Sequence, residues 1–415
     1  MHLSFTAAVL AVAGTGFALP QNSARADPVA STQPPPALPM ANFHTEKWAR
    51  PLTLDEAQAG KNATISSMTN VADIKDALEK MPNLHVPDKL EDVLPPSVVD
   101  GVKDVLDELS IPISSSIVLP LTARELDEEL EKFENLEKRQ GTCSSVRIRQ
   151  EWDSYSDSDR QAFISAIRCL QTNRPSGQFA ASQSRYEDLV ALHQRLTPNI
   201  HGNAKFLLWH RYYLWTFEQM LRSDCGFNRN LPWFDETRYA GRFAQSSIFS
   251  SRWFGSINVG GNCVTDGQFA NLALNIGPGT GNSRHCLSRN NDDSSTINTG
   301  NSMVDACNGR SSYADMAACA EGGAHAWGHN GIGAVMSDVY ASPGDPVFFL
   351  HHAFIDRNFR IWQNRFGQNV VGGNDVSGNA ITTNTNINVY GFRPDVRVGA
   401  ILNTQGPALC YRYNY

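Results

Sequence analysis

The stretch GGAHAWGH, residues 322–329, places His325 and His329 four residues apart in a chain of 415 residues with eleven histidines. Four residues make about one turn of an α-helix, so the two imidazoles share a face if the stretch is helical. Two neutral imidazoles on one face are not what an apolar core requires for packing, whereas a metal ion binds them through their ring nitrogens. The stretch therefore predicts a metal-binding helix.

The other histidines extend this pattern into two clusters. Seven of the eight histidines after Arg139 belong to them: His193, His201 and His210 form the first, and His325, His329, His351 and His352 form the second. Two clusters of three or four imidazoles predict two metal ions. A set of imidazoles without thiolate or carboxylate favours copper, and the sequence lacks the HExxH motif of many zinc hydrolases. His285 fits neither cluster and is interpreted as structural.

Helical periodicity surrounds the clusters. Ser156 is a candidate N-cap and Asp345-Pro346 marks a second helix start, and the apolar spacing predicts helices over 156–170, 185–196, 204–222 and 345–366. Together they predict a mainly α fold with a four-helix-bundle core that aims imidazoles at one buried centre. Residues 255–312 are rich in Gly, Asn and Ser, and we expect loops pinned by disulfides there, with little β structure in the chain.

The N-terminal third of the chain differs in composition. Residues 1–19 hold a short apolar run followed by small residues, which predicts a secretory signal peptide, and no run approaches the roughly 20 apolar residues of a membrane span. Up to Arg139 the chain has 12 Lys and Arg against 21 Asp and Glu, a net charge of −9, and afterwards 23 against 21, a net charge of +2. Residues 20–139 are therefore predicted to be an acidic, helical propeptide-like segment ahead of a domain over 140–415.

The boundary falls at the basic pair Lys138-Arg139, which closes a helical pattern over 121–139. A basic pair after a signal peptide resembles the cleavage site of kexin-type processing proteases, so we expect such a protease as a partner. The alternative is a basic pair that stabilises the C-terminus of a helix. The acidic segment holds the only N-glycosylation sequon, Asn62-Ala63-Thr64, and we expect it to shield the domain or to assist its folding.

The cysteines follow the same boundary, because all eight lie after Arg139: Cys143, Cys169, Cys225, Cys263, Cys286, Cys307, Cys319 and Cys410. An even number in a secreted chain predicts up to four disulfides, and the spacing leaves their pairing open. The formal net charge of the whole chain is −7, which argues against nucleic acid as a partner.

Three segments carry a resemblance to a known family: FLLWHRYYLWTFE (206–218), HAWGH (325–329) and DPVFFLHHAFIDR (345–357). They resemble the signature segments of tyrosinases and catechol oxidases, the type-3 binuclear copper proteins. Tyr411-Arg412-Tyr413 is similar to the Tyr-x-Tyr motif that closes the catalytic core of that family. The resemblance is to the short, secreted fungal form, and it implies two copper ions, dioxygen and small phenolic substrates.

Carried over by position, the resemblance implies ligands for two coppers: His193, His201 and His210 for the first, and His325, His329 and His352 for the second. It makes His351 a neighbour that does not ligate. Phe348 matches the aromatic that packs over the copper pair, with a plain core residue as the alternative. Asp356 and Arg357 are expected to pair near the site, and Glu218 to orient a histidine of the first copper.

Several positions depart from the family pattern. Fungal relatives often carry a cysteine that is crosslinked to the second histidine of the first site, and Asn199 occupies its place. Hydroxylating members often have Asn after the first histidine of the second site. Here Ala326 stands there, although Asn330 follows the second histidine. Glu321 is the candidate for the water-holding acid of the family, with a solvated loop residue as the alternative. Val339 matches the gate residue, and its small side chain leaves the pocket open.

Together these features predict a secreted polyphenol oxidase that converts o-diphenols or o-aminophenols to quinone products with dioxygen, and that has a possible ortho-hydroxylase activity on monophenols. One alternative is a non-enzymatic dioxygen carrier that resembles molluscan haemocyanin, which shares this copper site. Another is a binding module that holds zinc or no metal, and the presence of all six expected ligands argues against it.

Overall fold

The computed structural model describes residues 35–43, 51–62, 143 and 145–415. The predicted signal peptide, most of the acidic segment, the helix predicted over 121–139 and the basic pair Lys138-Arg139 lie outside the described residues. The part described from the acidic segment contains one single-turn helix, Met40–Asn42, and one α-helix, α1 (Leu54–Asn62).

The rest of the described chain is mainly helical, as the sequence predicts. The longest helices are α2 (Asp157–Thr172), α3 (Arg185–Ile200), α4 (Phe206–Cys225) and α10 (Val347–Phe366). Between them lie shorter ones, namely α5 (Glu236–Tyr239), α6 (Asp293–Thr296), α7 (Asn301–Asn308), α8 (Tyr313–Ala320) and α9 (Ala326–Ile332), and α11 (Val398–Leu402) follows. No helix of the described residues has the length and apolar character that a membrane crossing needs.

The starts of the long helices follow from their first residues. Ser156 caps α2, because its hydroxyl accepts a hydrogen bond from the Asp159 amide, and Ser184 caps α3 in the same way. Helix α10 begins after Pro346, at the position that the Asp345-Pro346 pair predicts. Helices α3, α4, α9 and α10 carry the clustered histidines, so the predicted four-helix core is confirmed.

Strands are few and short. A three-stranded parallel sheet has the order β2 (Pro232–Trp233), β1 (Arg147–Glu151) and β7 (Tyr411–Tyr413). Two antiparallel pairs join β3 (Ala273–Leu274) to β4 (His285–Cys286), and β5 (Asn386–Ile387) to β6 (Val396–Arg397). The pairing of β1 with β7 places the Tyr-x-Tyr motif against the first strand of the domain.

The expected loops pinned by disulfides form over 255–312, and they also contain the short elements β3, β4, α6 and α7. Although the region is polar overall, α7 has a short apolar face, on which Met303, Val304 and Cys307 are buried. Four disulfides form, and within the described residues no cysteine is free: Cys143–Cys410, Cys169–Cys225, Cys263–Cys286 and Cys307–Cys319. Cys263–Cys286 and Cys307–Cys319 hold this polar region, as expected.

A buried ionic network joins α4, α10 and the C-terminal strand. The guanidinium of Arg211 in α4 donates to Asp356 in α10 at 2.6 Å. The hydroxyls of Tyr411 and Tyr413 donate to the other carboxylate oxygen of Asp356, at 2.5 and 2.6 Å. Burial opposes ionisation of Asp356, but Arg211 and the neighbouring Arg149 outweigh it and lower its pKa.

Two expectations about this network are wrong. Asp356 pairs with Arg211 rather than with Arg357, whose guanidinium donates to the Tyr415 backbone carbonyl at the surface. The reason is helical geometry, because adjacent residues of α10 point in different directions. Glu218 does not orient a histidine. Its carboxylate lies in an ion-pair cluster and binds Arg147, Arg149 and Arg222.

Replacing Asp356 with Asn should destabilise the fold strongly, because two buried guanidinium groups lose their counter-charge. We expect the free energy of unfolding in urea to fall by about 3–5 kcal/mol at pH 7. Because the pKa of Asp356 is lowered in the folded state, its stabilisation is present above the ordinary carboxyl pKa of about 3.9 and is lost as the pH falls through the lowered value. Asp157→Asn removes an exposed carboxylate beside Arg160 and should cost under about 1 kcal/mol. Equal losses for the two variants would contradict this account.

Candidate metal centre

The clustered histidines come from four helices and one helix end. His193 lies in α3, His201 follows its last residue, and His210 lies in α4. His325 and His329 flank the first turn of α9, and His351 and His352 lie in the second turn of α10. All seven side chains are buried. Three long helices and α9 therefore converge at one point in the core.

A π-helical turn, Glu321–His325, links α8 to α9 and sets the direction of His325. The backbone leaves helical geometry at Gly323, with φ −88° and ψ −124°. A side chain at this position would also meet Met303 Sδ at 3.1 Å and Cys307 Sγ at 3.2 Å. Turns of this kind are rare and concentrate at functional sites. The Gly322-Gly323 pair was the only sequence signal for it.

In the first group the ring nitrogens named Nε2 face one another. His193 Nε2 lies 3.3 Å from that of His201 and 3.4 Å from that of His210. Each Nδ1 is engaged on the other side of its ring, by the Tyr340 carbonyl (2.8 Å), the Glu321 carboxylate (3.0 Å) and the Phe206 carbonyl (2.8 Å), respectively. These partners accept hydrogen bonds, so each Nδ1 carries the proton and each Nε2 presents a lone pair inward.

The second group repeats the arrangement with one difference. His325 Nδ1 donates to the Glu321 carbonyl at 3.0 Å, and His329 Nδ1 donates to the Met336 carbonyl at 2.6 Å. His329 Nε2 lies 3.2 Å from His352 Nε2, and His325 Nε2 has no hydrogen-bond partner among the described residues. The His352 ring is held by stacking instead, with ring centroids 4.0 Å from Phe348 and 4.5 Å from His210.

These lone pairs fit metal ions. Buried acceptors that face one another at 3.2–3.4 Å repel unless a cation or a proton lies between them. Burial disfavours the proton, because it lowers the pKa of His193 and of His201 to about 3, and that of the other ligand candidates well below the ordinary value. Each group offers at least three neutral nitrogen donors within 4.8 Å of one another, which suits copper.

The comparisons with known proteins agree with this geometry. A sequence profile described as "Common central domain of tyrosinase" matches residues 183–365, which contain both histidine groups. Tyrosinase P of Aspergillus terreus is 31% identical over 275 residues, which are 54% of this chain and 77% of that protein. The chain belongs to the tyrosinase family. Its two histidine groups accordingly fit the binuclear type-3 copper site of that family.

A further relative and one solved structure extend the comparison. N-acetyl-6-hydroxytryptophan oxidase ivoB of Emericella nidulans is 27% identical over 346 residues, 66% of this chain and 94% of that protein. The structure of a mutant polyphenol oxidase from Thermothelomyces thermophila matches with a TM-score of 0.59 and 23% identity, over 69% of this chain and 94% of that one. The latter match shows that this member of the tyrosinase family shares the fold of that oxidase.

A small, partly enclosed opening borders both histidine groups. It is lined by His201 of the first group, by His325 and His329 of the second, and by Ala326, Asn330, Met336, Ser337, Val339 and Ser342. Asn330 and Val339 therefore lie where the sequence analysis places substrate-facing residues. Phe348 is fully buried, and its ring contacts His193 as well as His352. It packs between the two groups and does not line the opening.

Glu321 lies behind His201 rather than at the opening. Its carboxylate accepts hydrogen bonds from His201 Nδ1 and from the Gly202 amide, at 3.0 and 2.9 Å. The side chain is buried, which rules out the alternative of a solvated loop residue. Burial raises the pKa of Glu321 well above its ordinary value. The same residue also holds His325 through its backbone carbonyl, so it contacts one histidine of each group.

The ring of His351 contacts the second group, but its Nδ1 is bound to a carboxylate outside that group. Its ring centroid lies 4.6 Å from that of His329, and its Nδ1 forms a 2.5 Å hydrogen bond with the Glu236 carboxylate. Burial lowers the pKa of His351 to about 3 and raises that of Glu236 well above its ordinary value. Sequence reasoning missed Glu236, because nothing in its spacing links α5 to the histidines. His285, in contrast, belongs to neither histidine group. Its side chain is buried, and its Nδ1 forms a hydrogen bond with the Ser283 carbonyl.

Gly328 lets this pair lie beside α9, because a side chain there would meet His351 Cε1 at 2.6 Å and Glu236 Oε2 at 2.8 Å. We expect Gly328→Ala to displace His329 and to lower the affinity for copper at the second site by about 10- to 100-fold. Copper content per chain, measured by mass spectrometry after dialysis against a weak chelator, should fall from two towards one. Gly372→Ala is the matched control, since nothing lies within 4 Å of its added carbon. Retention of both coppers by Gly328→Ala would refute the prediction.

Proposed function

We propose that this protein is a copper-dependent polyphenol oxidase that converts o-diphenols to o-quinones with dioxygen, with weaker ortho-hydroxylation of monophenols. The observation that carries the proposal is the opening lined by His201, His325 and His329. A planar phenol that enters it meets histidines of both groups at once. A carrier of dioxygen needs no opening of this kind, and the haemocyanin-like alternative is therefore second.

The roles of the histidines follow from the direction of their lone pairs. His193, His201 and His210 would hold one copper, and His325, His329 and His352 the other. When bound, the copper pair supplies the reduction of dioxygen that oxidation of a diphenol requires. His351 would hold the orientation of the second group through Glu236, and Glu321 that of His201.

The lining of the opening supports a preference for diphenols. Val339 is small, so ring substituents can pass it. Ala326 offers no polar group beside His325, whereas the Asn330 amide lies at the rim next to His329 and can hold a phenol hydroxyl or a water. Phe348 would fix the ring of His352 by stacking. Asn330 is the only amide side chain in this lining, so it is the candidate to position a water that takes the proton of a monophenol.

The compartment and the processing belong to the same proposal. Four disulfides in the described domain are typical of secreted proteins, which agrees with a signal peptide over residues 1–19. We propose that the chain is secreted and then cut after Lys138-Arg139 by a processing protease, which breaks the covalent link between residues 20–139 and the domain over 140–415.

Oxygen uptake by the copper-loaded full chain, before and after cleavage at the basic pair, tests the proposed function. We expect uptake with catechol, and slower uptake with tyramine after a lag. Immediate uptake with tyramine at a rate equal to that with catechol would show that Ala326 does not weaken hydroxylation. If the two coppers bind dioxygen reversibly and neither phenol is oxidised, the protein is a dioxygen carrier and not a polyphenol oxidase.

Val339→Phe should narrow the opening. We expect the KM for 4-tert-butylcatechol to rise by roughly tenfold, with a smaller rise for catechol, because the bulky substituent must pass position 339. Steady-state oxygen uptake with the two substrates gives the ratio. Val376→Phe enlarges an exposed valine that is 56% accessible and does not line the opening, and it should leave the ratio unchanged. A rise of equal size for both substrates would exclude a gate at Val339.

A further inference from the structure

The described part of the acidic segment is built into the domain. Thr53 caps α1, since its hydroxyl accepts from the Glu56 amide while the Glu56 carboxylate accepts from the Thr53 amide at 2.8 Å. Ala57 of α1 is fully buried, and its carbonyl accepts from the Arg310 guanidinium at 2.8 Å. Helix α1 thus has its own cap and packs on the domain.

The strongest contacts are made by the backbone of Leu52. Its amide donates to the Gly322 carbonyl at 2.6 Å, and its carbonyl accepts from the indole of Trp327, also at 2.6 Å. Gly322 lies in the π-helical turn and Trp327 in the first turn of α9, on either side of His325. One residue of the acidic segment therefore bridges the element that presents a histidine of the second group.

Two other features also place this segment in contact with the domain. Leu52 forms part of the wall of a cavity that is also lined by Gly202 and Glu321, so the segment lies close to the residues that hold His201. Nearer the N-terminus, the Pro36 carbonyl accepts from the Cys286 amide at 3.0 Å, and Phe43 packs against the ring of His285. None of the described residues of this segment lines the opening to the histidines.

We propose that the surface formed by the π-helical turn, Trp327 and Arg310 is a permanent docking site for residues 51–62, and that this segment stays bound after any cut between residues 63 and 142. The cleaved protein is then a non-covalent complex of two chains, in which the shorter chain holds the second copper site in shape. The inference concerns assembly and does not depend on which phenol is oxidised.

The first experiment replaces Lys138-Arg139 with a site for a sequence-specific protease and cuts the purified full chain. Size-exclusion chromatography at micromolar concentration, followed by mass spectrometry of the peak, reports whether both chains elute together. We expect co-elution. Release of the N-terminal chain, while circular dichroism and both bound coppers stay unchanged, would overturn the proposal.

The second experiment separates the Leu52 contact from the rest of the segment. Leu52→Pro removes the amide that donates to Gly322, whereas Leu54→Pro places the same residue at the first position of α1, where a helix needs no amide donor. For Leu52→Pro we expect release of the cut segment to be about fivefold faster, as for the loss of one hydrogen bond. One of the two coppers should also be lost to a chelator about fivefold faster. Leu54→Pro also loses a leucine that packs on the core but keeps both hydrogen bonds of Leu52, so its effect on both measurements should be smaller.

Trp327→Phe tests the other half of the bridge, because it removes only the indole donor to Leu52. Its control is Trp152→Phe, which removes an indole that donates to Ser247 at 2.9 Å, a contact within the domain. We expect faster release of the segment in the first variant alone. Equal release rates in Trp327→Phe, Trp152→Phe and the parent would show that the bridge does not hold the segment, and would refute the docking site.

Discussion

The ion pair between Arg211 and Asp356 is the interaction on which the metal centre depends. Arg211 follows His210 in α4, and Asp356 lies one turn after His352 in α10, so the pair fixes the spacing of the two helices beside the histidines. The rings of His210 and His352 consequently stack at 4.5 Å, which brings one histidine of each group into contact. The two tyrosines of β7 complete the hydrogen bonding of Asp356, and a buried ion pair stabilises a fold only when its remaining lone pairs are satisfied in this way.

The site is pre-organised by backbone carbonyls more than by side chains. Four of the six ligand candidates direct Nδ1 to a carbonyl of the chain, and only His201 uses a carboxylate, that of Glu321. A carbonyl fixes both the tautomer and the plane of a ring without adding charge, so the donors remain neutral and soft. The exception, His352, is held by ring stacking on Phe348, which leaves its orientation sensitive to the shape of that aromatic residue.

The sequence predicted those parts of the structure in which residues of one type recur at a regular spacing. Histidine spacing and helical apolar patterns located α2, α3, α4 and α10, and the spacing placed the seven clustered histidines in two groups. It failed where contacts join distant segments. The pairs His351–Glu236 and Asp356–Arg211 each join two different helices. No local rule predicts that Asp356 pairs with the distant Arg211 and not with Arg357, its neighbour in sequence. The π-helical turn was missed because its geometry is selected by Gly323 packing on α7, which is a tertiary effect.

The Cys143–Cys410 disulfide gives the domain a mechanical property. It joins the residues that precede β1 and β7, and these strands pair in parallel, so the bond lies at the end of the small sheet where both strands begin. A pulling force applied outside these two cysteines therefore travels through a covalent bond and bypasses the 266 residues between them. The helices that carry the histidines would feel such a load through β7, whose Tyr411 and Tyr413 bind Asp356 of α10.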